Sequence, residues 1–561
     1  MAIMLTPITL WQDFDDSLPA NEEIVSERIE DGIVYRDVYF YGRNVGSGAG
    51  RVKIYGKYVF PQGVDSFPVV MILFEAKQPF DEELVLRYVK NGYGVLCVDY
   101  CGERKADYFT VYPKLVDYGN YARAERHIEY CDVSAKETSW YEWAAVARYA
   151  VNYLQRKPEV QSVGAVGLRT GGEILFKIAP YAPIACMISV CAAGWLAYRG
   201  IGKFSGGENY VLDEERHRFI AGIDSQSYAP HIKCPILLVS AINDKKYNYD
   251  RVYDTFRQIN PNVEKAILFS AHGSGLVGSH SLKDIDLFLD KYLRGRSVFL
   301  SKPISVSVAE DEEENLIVTG KFDPQGEIKE FGVFYTENIA ASKTRDWTRV
   351  LGQPEDLKEN IGKIPLRLFK GSQKALVYAF VNYSNDFSVS SKILEVNIDK
   401  VYKNACPKSR VIYSEREGRN GFSTYWRRTH SVADCFSEGA NSGVRLEAGY
   451  GGIKGISAFP GVISYRVGEK RYEAPNGTSF RFDAYAPCNA RLRVVFYKDE
   501  EEKNGFFGEV LIEGGGIWKD ILFDASDFKS DTGVAMEDFS GLVAVVFMCD
   551  DEVLINNVLW V

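Results

Sequence analysis

From Val34 to Arg294, short unbroken apolar runs alternate with amphipathic stretches. Val69 to Phe74 is continuously apolar, the pattern of a strand covered on both faces. Leu84, Val85, Tyr88 and Val89 then keep helical spacing after Asp81, and Asn91-Gly92 closes that helix. Tyr93 to Val98, Val163 to Gly167, Pro235 to Ser240 and Lys265 to Phe269 repeat the strand signal. Helical stripes separate them: Trp140, Trp143, Ala147, Val151 and Leu154, later Val252, Phe256 and Ile259, and finally Ile285, Phe288, Leu289 and Tyr292. This alternation predicts right-handed βαβ units, hence an α/β unit with a mostly parallel sheet and helices on both faces. Upstream, Val34 to Phe40 and Arg51 to Phe60 flank a Gly-rich turn and predict an antiparallel hairpin at the sheet edge.

After Leu293-Arg294-Gly295 the pattern changes. Ser305 to Val308, Leu316 to Val318, Gly332 to Tyr335 and Leu376 to Val381 are short strands between turns, with no helical stripe among them. They predict an immunoglobulin-like β-sandwich. A polar connection near Asp399 to Ser409 leads to a second all-β region with Phe480 to Tyr485, Ala490 to Phe496 and Leu542 to Phe547. The expected division is 1–297, 298–400 and 401–561, an α/β unit followed by two all-β sandwich domains. A length of 561 residues agrees with three or four folded units.

Composition removes several function classes. Lys and Arg number 66 against 76 Asp and Glu, a net charge of −10, so a polyphosphate chain is a poor partner and no nucleic acid is expected. No apolar run approaches the ~20 residues of a membrane helix. The N-terminal stretch lacks a basic region, and Asp13, Asp15 and Asp16 follow its apolar run. Ten Cys are too sparse for a disulfide scaffold. The expectation is a cytoplasmic protein without membrane attachment. No cofactor motif occurs, and the His residues lack the i, i+4 mates or Cys neighbours of a metal site.

The informative stretch is Gly167-Leu168-Arg169-Thr170-Gly171-Gly172, between a strand and a helix. It resembles the nucleophile elbow of the α/β-hydrolase family, where G-x-S-x-G forces a tight turn and lifts the central residue above the sheet. Gly92 to Gly102 looks like that family's strand and turn before the elbow, and Glu137 to Trp143 begins the helix preceding it. The resemblance puts Asp244 at the acid position and His272 at the base position, in the family's chain order. It spans roughly residues 30 to 295 and is closest to the acetyl-xylan-esterase and dienelactone-hydrolase-like branches.

Two residues depart from the family pattern. Arg169 stands where the family keeps Ser, and a guanidinium has no lone pair for attack. The loop after Phe74, which helps stabilise the oxyanion in the family, brings Glu75. A carboxylate there raises the barrier unless it points away. A cation at a helix N-terminus is disfavoured by the helix dipole, so Arg169 should have an anionic partner. Asp244 or Glu75 would supply it in a plugged site. A bound carboxylate or phosphate would supply it in a converted pocket lined by Arg169, Glu75, Thr170 and Tyr100. The expectation is an esterase-like protein that is catalytically inactive and binds a carbohydrate or small anionic ligand. The alternative is an active carbohydrate or acyl esterase with an unorthodox nucleophile, for which Thr170 is available.

Residues 409–561 resemble the galactose-binding-like jelly rolls of carbohydrate-binding modules, through Trp518 to Asp524 and Ile555 to Trp560. The resemblance implies sugar-stacking aromatics, with Tyr425, Trp426, Tyr450 and Tyr465 as candidates. The other reading places these rings in the core.

Overall fold

The computed structural model describes residues 2–46, 48, 50–102, 107–198, 203, 212–244, 246–270, 277–278, 280–337, 342–425, 436–437 and 443–561. Among the described residues, nine strands of the N-terminal half form one sheet. They are β1 (Glu23–Glu30), β2 (Ile33–Asn44), β3 (Arg51–Pro61), β4 (Phe67–Leu73), β5 (Gly94–Asp99), β6 (Val160–Leu168), β7 (Cys186–Val190), β8 (Ile236–Ala241) and β9 (Lys265–Ser270). The order across the sheet is β1-β2-β3-β5-β4-β6-β7-β8-β9. Pairs from β5 through β9 are parallel, and β1, β2 and β3 join antiparallel. The central strands β4, β5 and β8 are buried along their whole length, which explains their uninterrupted apolar runs.

The hairpin expected at the edge is β2–β3, but β1 lies outside it. Nearly every residue of β1 is exposed, so it carries no alternation of apolar and polar positions. The helices are α1 (Pro7–Trp11), α2 (Glu82–Lys90), α3 (Ser139–Gln155), α4 (Thr170–Ile178), α5 (Glu214–Gly222), α6 (Ser225–Tyr228), α7 (Tyr249–Gln258) and α8 (His280–Arg294). Asp81 caps α2 by accepting from the Leu84 N–H, and Thr138 caps α3 through the Tyr141 N–H. α4 is buried at every position. Among the described residues no helix is long and apolar enough to cross a membrane.

Two pairs of sheets follow. The middle pair sets Ser305–Glu310, Leu316–Lys321, Ile361–Leu366 and Leu357–Lys358 against a sheet built on Ile328–Thr336 and Lys374–Tyr383. The C-terminal pair packs Phe480–Tyr485 and Leu554–Trp560 over Ala490–Tyr497 and Ala544–Cys549, with Phe480, Phe482, Phe496 and Phe547 in one core. The apolar core runs without a break from the N-terminal sheet into the middle pair: Leu237, Ala266 and Phe288 share a cluster with Val318, Val333 and Val377.

Two loops at the carboxyl ends of the parallel strands are tied to these later regions. Asn243 donates its amide to the carbonyls of Arg345 at 2.9 Å and Lys343 at 3.3 Å. Val277–Gly278 pairs in parallel with Phe436–Ser437.

Candidate functional site

The turn between β6 and α4 is built on glycines that tolerate no side chain. A Cβ on Gly171 would lie 2.0 Å from the Leu73 carbonyl oxygen, and one on Gly167 would lie 2.6 Å from the Gly171 backbone. Arg169 sits at the tip with φ 53° and ψ −111°, a conformation that costs a non-glycine residue about 1–3 kcal/mol. Its N–H donates to the Val190 carbonyl at 2.8 Å, and its carbonyl accepts from Glu173 at 3.1 Å. The turn is thus locked between β7 and the first turn of α4.

The Arg169 side chain is 20% exposed and lies between two carboxylates. Nη1 is 3.3 Å from Asp244 Oδ2, and Nε is 3.4 Å from Glu75 Oε2. The guanidinium also lies over the Tyr247 ring at 5.3 Å. Burial works against its charge, but Asp244 and Glu75 outweigh burial and hold its pKa above the ordinary arginine value. Asp244 is fixed by its own backbone neighbours, since Oδ1 accepts from the Lys246 N–H at 2.7 Å and the Tyr247 N–H at 2.9 Å.

Glu75 points into the turn. Its Oε2 accepts from the Thr170 N–H at 3.0 Å, and its Oε1 from the Thr170 hydroxyl at 3.2 Å and Lys246 Nζ at 3.1 Å. Burial opposes its charge, but Lys246 and Arg169 hold the carboxyl below the usual range. The N–H that follows the elbow tip serves the oxyanion in acyl-transfer enzymes of this geometry. Here it is engaged by a carboxylate of the same chain. Arg169, Lys246, Glu75 and Asp244 together balance their formal charges.

Behind the turn, Glu173 on α4 accepts from the Ala193 N–H at 2.6 Å and from the Ser225 hydroxyl. Asp224 accepts from the N–H groups of Leu196 at 3.0 Å and Ala197 at 3.2 Å. These two buried carboxylates hold the loop after β7, in which Cys191, Ala193 and Trp195 all have positive φ. Lys177 lies beside Glu173 at 3.8 Å, with its pKa lowered by burial against that carboxylate's pull.

The structure therefore brings Arg169, Asp244, Glu75 and Thr170 together, while His272 lies outside the described residues. Tyr100 is corrected. It is wholly buried, packed edge-on against Trp143, and its hydroxyl donates to the Phe74 carbonyl at 2.6 Å. It braces the strand end that carries Glu75 and lies in the core. Lys246 and Tyr247 belong to the site and were not foreseen; the signal was a cation two residues past the acid, where an Asp-capped turn folds it back.

The aromatic candidates diverge. Tyr465 is corrected: it is buried with Val495, Tyr497 and Val546. Tyr425 is half-buried, its hydroxyl 3.0 Å from that of Tyr497. Tyr450 is 63% exposed, and its carbonyl accepts from the Trp518 indole at 3.2 Å. Trp426 lies outside the described residues.

No protein-family model and no curated protein matches the chain. Solved structures do. The acetyl xylan esterase of Paenibacillus sp. R4 is 15% identical with a TM-score of 0.39, over 50% of this chain and 90% of that one. Acetyl xylan esterase 1 of Thermoanaerobacterium sp. JW/SL YS485 is 18% identical with a TM-score of 0.37, over 46% and 85%. A Pyrococcus furiosus esterase is 17% identical with a TM-score of 0.30, over 45% and 88%. The strand order, the parallel β5-to-β9 block and the glycine-built turn after β6 give the N-terminal half the strand–turn–helix arrangement of an α/β-hydrolase fold.

Proposed function

We propose that this chain is a non-hydrolysing protein on an esterase-like fold, acting by binding a carbohydrate or a small anionic ligand. The observation that carries the reading is the Glu75 carboxylate on the Thr170 N–H, with Arg169 at the elbow tip. A guanidinium does not attack an acyl carbon, and a carboxylate on the oxyanion donor repels the charge that an acyl transition state develops. A small anion would take the place of Glu75 among Thr170, Lys246 and Arg169. A sugar would use the later sheet pairs, which we read as an immunoglobulin-like sandwich and a galactose-binding-like jelly roll.

A second reading, an active esterase, has one observation in its favour. Lys246 Nζ lies 3.5 Å from the Thr170 hydroxyl, the pairing of a nucleophile with a lysine base. Against it, that lysine is already engaged by the Glu75 carboxylate at 3.1 Å, a closer contact than the one to the hydroxyl.

Turnover of p-nitrophenyl acetate separates the two. The wild-type protein is expected to match the buffer rate, and Thr170→Ala to leave that rate unchanged. Wild-type turnover that disappears in Thr170→Ala would establish the second reading instead.

A further inference from the structure

The elbow is already filled, by a carboxylate that belongs to the chain itself. Each oxygen of Glu75 meets two residues. Oε1 accepts from the Thr170 hydroxyl at 3.2 Å and from Lys246 Nζ at 3.1 Å. Oε2 accepts from the Thr170 N–H at 3.0 Å and lies 3.4 Å from Arg169 Nε. These groups come from the first turn of α4, from the elbow tip and from the loop after β8, so the cradle is more than a helix N-terminus. Contacts between a carboxylate and cationic donors are the stronger class of hydrogen bond.

The cradle is open to solvent. Glu75, Arg169 and Lys246 keep 19%, 20% and 33% of their side chains exposed, so a solute reaches the groups that hold the carboxylate. The wholly buried Tyr247 closes the floor, with its ring under the guanidinium. Lys246 and Arg169 hold the Glu75 carboxyl below the usual range against the effect of burial, which means that the cradle favours a charged carboxylate.

Charge narrows the ligand. With Glu75 turned out of the cradle, Arg169 and Lys246 face the single carboxylate of Asp244, which two backbone N–H groups keep in place. One positive charge is then unmatched, and a monoanion restores the balance. A phosphate dianion would bring a surplus negative charge beside Asp244, whose side chain is fully buried and poorly screened. Shape agrees, since a donor set that serves two oxygens suits a planar carboxylate and leaves further oxygens of a tetrahedral anion unmatched. We infer that the elbow is a receptor for a short-chain monocarboxylate and that Glu75 is its tethered competitor, turning out as that acid binds. This rests on the reading of the elbow as a small-anion site and sharpens it. A tethered group acts at high effective concentration, so the affinity of the intact protein falls in proportion to the fraction of molecules with Glu75 turned out.

The test is chemical complementation, because Glu75→Ala deletes the heavy atoms of one acetate. Acetate, propionate, sulfate and phosphate are titrated into the full chain at constant ionic strength, with calorimetry and thermal melts as readouts. Glu75→Ala is expected to bind acetate or propionate about tenfold or more tightly than the wild-type protein, and to melt at a higher temperature as they bind. Adding Lys246→Ala to Glu75→Ala should abolish that gain. Glu75→Gln keeps an acceptor for Thr170 but no charge, so its affinity should fall between the other two, and it decides the matter if the alanine variant does not fold. No saturable monocarboxylate binding by either Glu75 variant, affinities equal to the wild type's, affinity unmoved by Lys246→Ala, or tighter binding of sulfate or phosphate would each overturn the inference. Tighter sulfate or phosphate binding leaves the small-anion reading standing, whereas p-nitrophenyl acetate turnover that disappears in Thr170→Ala overturns both.

Discussion

Arg345 and Arg169 are both held by carboxylates, but in different settings. Arg345 lies at the seam between the N-terminal half and the middle sheets, with its side chain and that of Asp250 fully buried. It grips both oxygens of Asp250, at 2.7 and 3.0 Å, and the Tyr249 hydroxyl at 2.6 Å. Arg169 reaches two carboxylates at 3.3 and 3.4 Å, one contact to each, from a strained backbone and with a fifth of its side chain in solvent. The first is a two-pronged structural clamp, whose removal leaves a buried charge unmatched. The second is a looser arrangement whose carboxylates have other partners: Asp244 keeps two backbone N–H groups, and Glu75 keeps Thr170 and Lys246. A seam is stabilised by its ion pair, whereas the elbow is shaped by its glycines and only neutralised by its arginine.

The largest effect should therefore come from the seam. Arg345→Met strands Asp250 in the interior and is expected to destabilise the fold by about 3–5 kcal/mol in urea unfolding. A loss below ~1 kcal/mol would break the contrast between the two arginines.

The buried acid behind the elbow should come next. Asp224 has its carboxyl pushed up from 3.8 to about 7, by burial and then by Glu173. The unfolded chain ionises this group near pH ~4, while the folded chain keeps its proton until about 7. Between those values the folded state binds more protons, so the stability this group contributes is complete below the lower value and is lost as pH rises through the upper one. The loss amounts to roughly 2–4 kcal/mol. Asp224→Asn should flatten the stability–pH curve across that interval, and a curve that keeps its slope would show that another group sets it.

The smallest effect should come from the elbow tip. Arg169→Ala is expected to cost no more than about 1 kcal/mol, since its partners remain satisfied. Arg169→Gly removes the strain of a positive φ and should be neutral or stabilising by up to ~1 kcal/mol. Thermal melts of the two variants sharpen the comparison, because a large loss in either would make Arg169 a clamp like Arg345.

Much of the N-terminal half was legible because parallel strands buried on both faces are written as unbroken apolar runs, as at Val69 to Phe74. β1 was not, since a strand exposed on both sides has no alternation to read. The glycines after β6 marked the turn, and Asp244 followed a buried strand as expected. Lys246 was missed because nothing local announces that a lysine folds back onto Glu75, a residue 171 positions away. Tyr465 was misplaced because an aromatic beside a turn reads the same whether its sheet face is bare or covered. The continuity of the core into the middle sheets was equally invisible, since an apolar residue does not say which neighbour it meets.

By itself the sequence determined that a permanently charged guanidinium, and not a hydroxyl, occupies the turn after the apolar run Val163 to Gly167, because that identity is covalent. Only the tertiary structure decided that Glu75 turns inward onto the Thr170 N–H, a contact across 95 residues. The direction of a carboxylate depends on which cations and donors the chain crossings gather around it, and that gathering is a property of the folded whole.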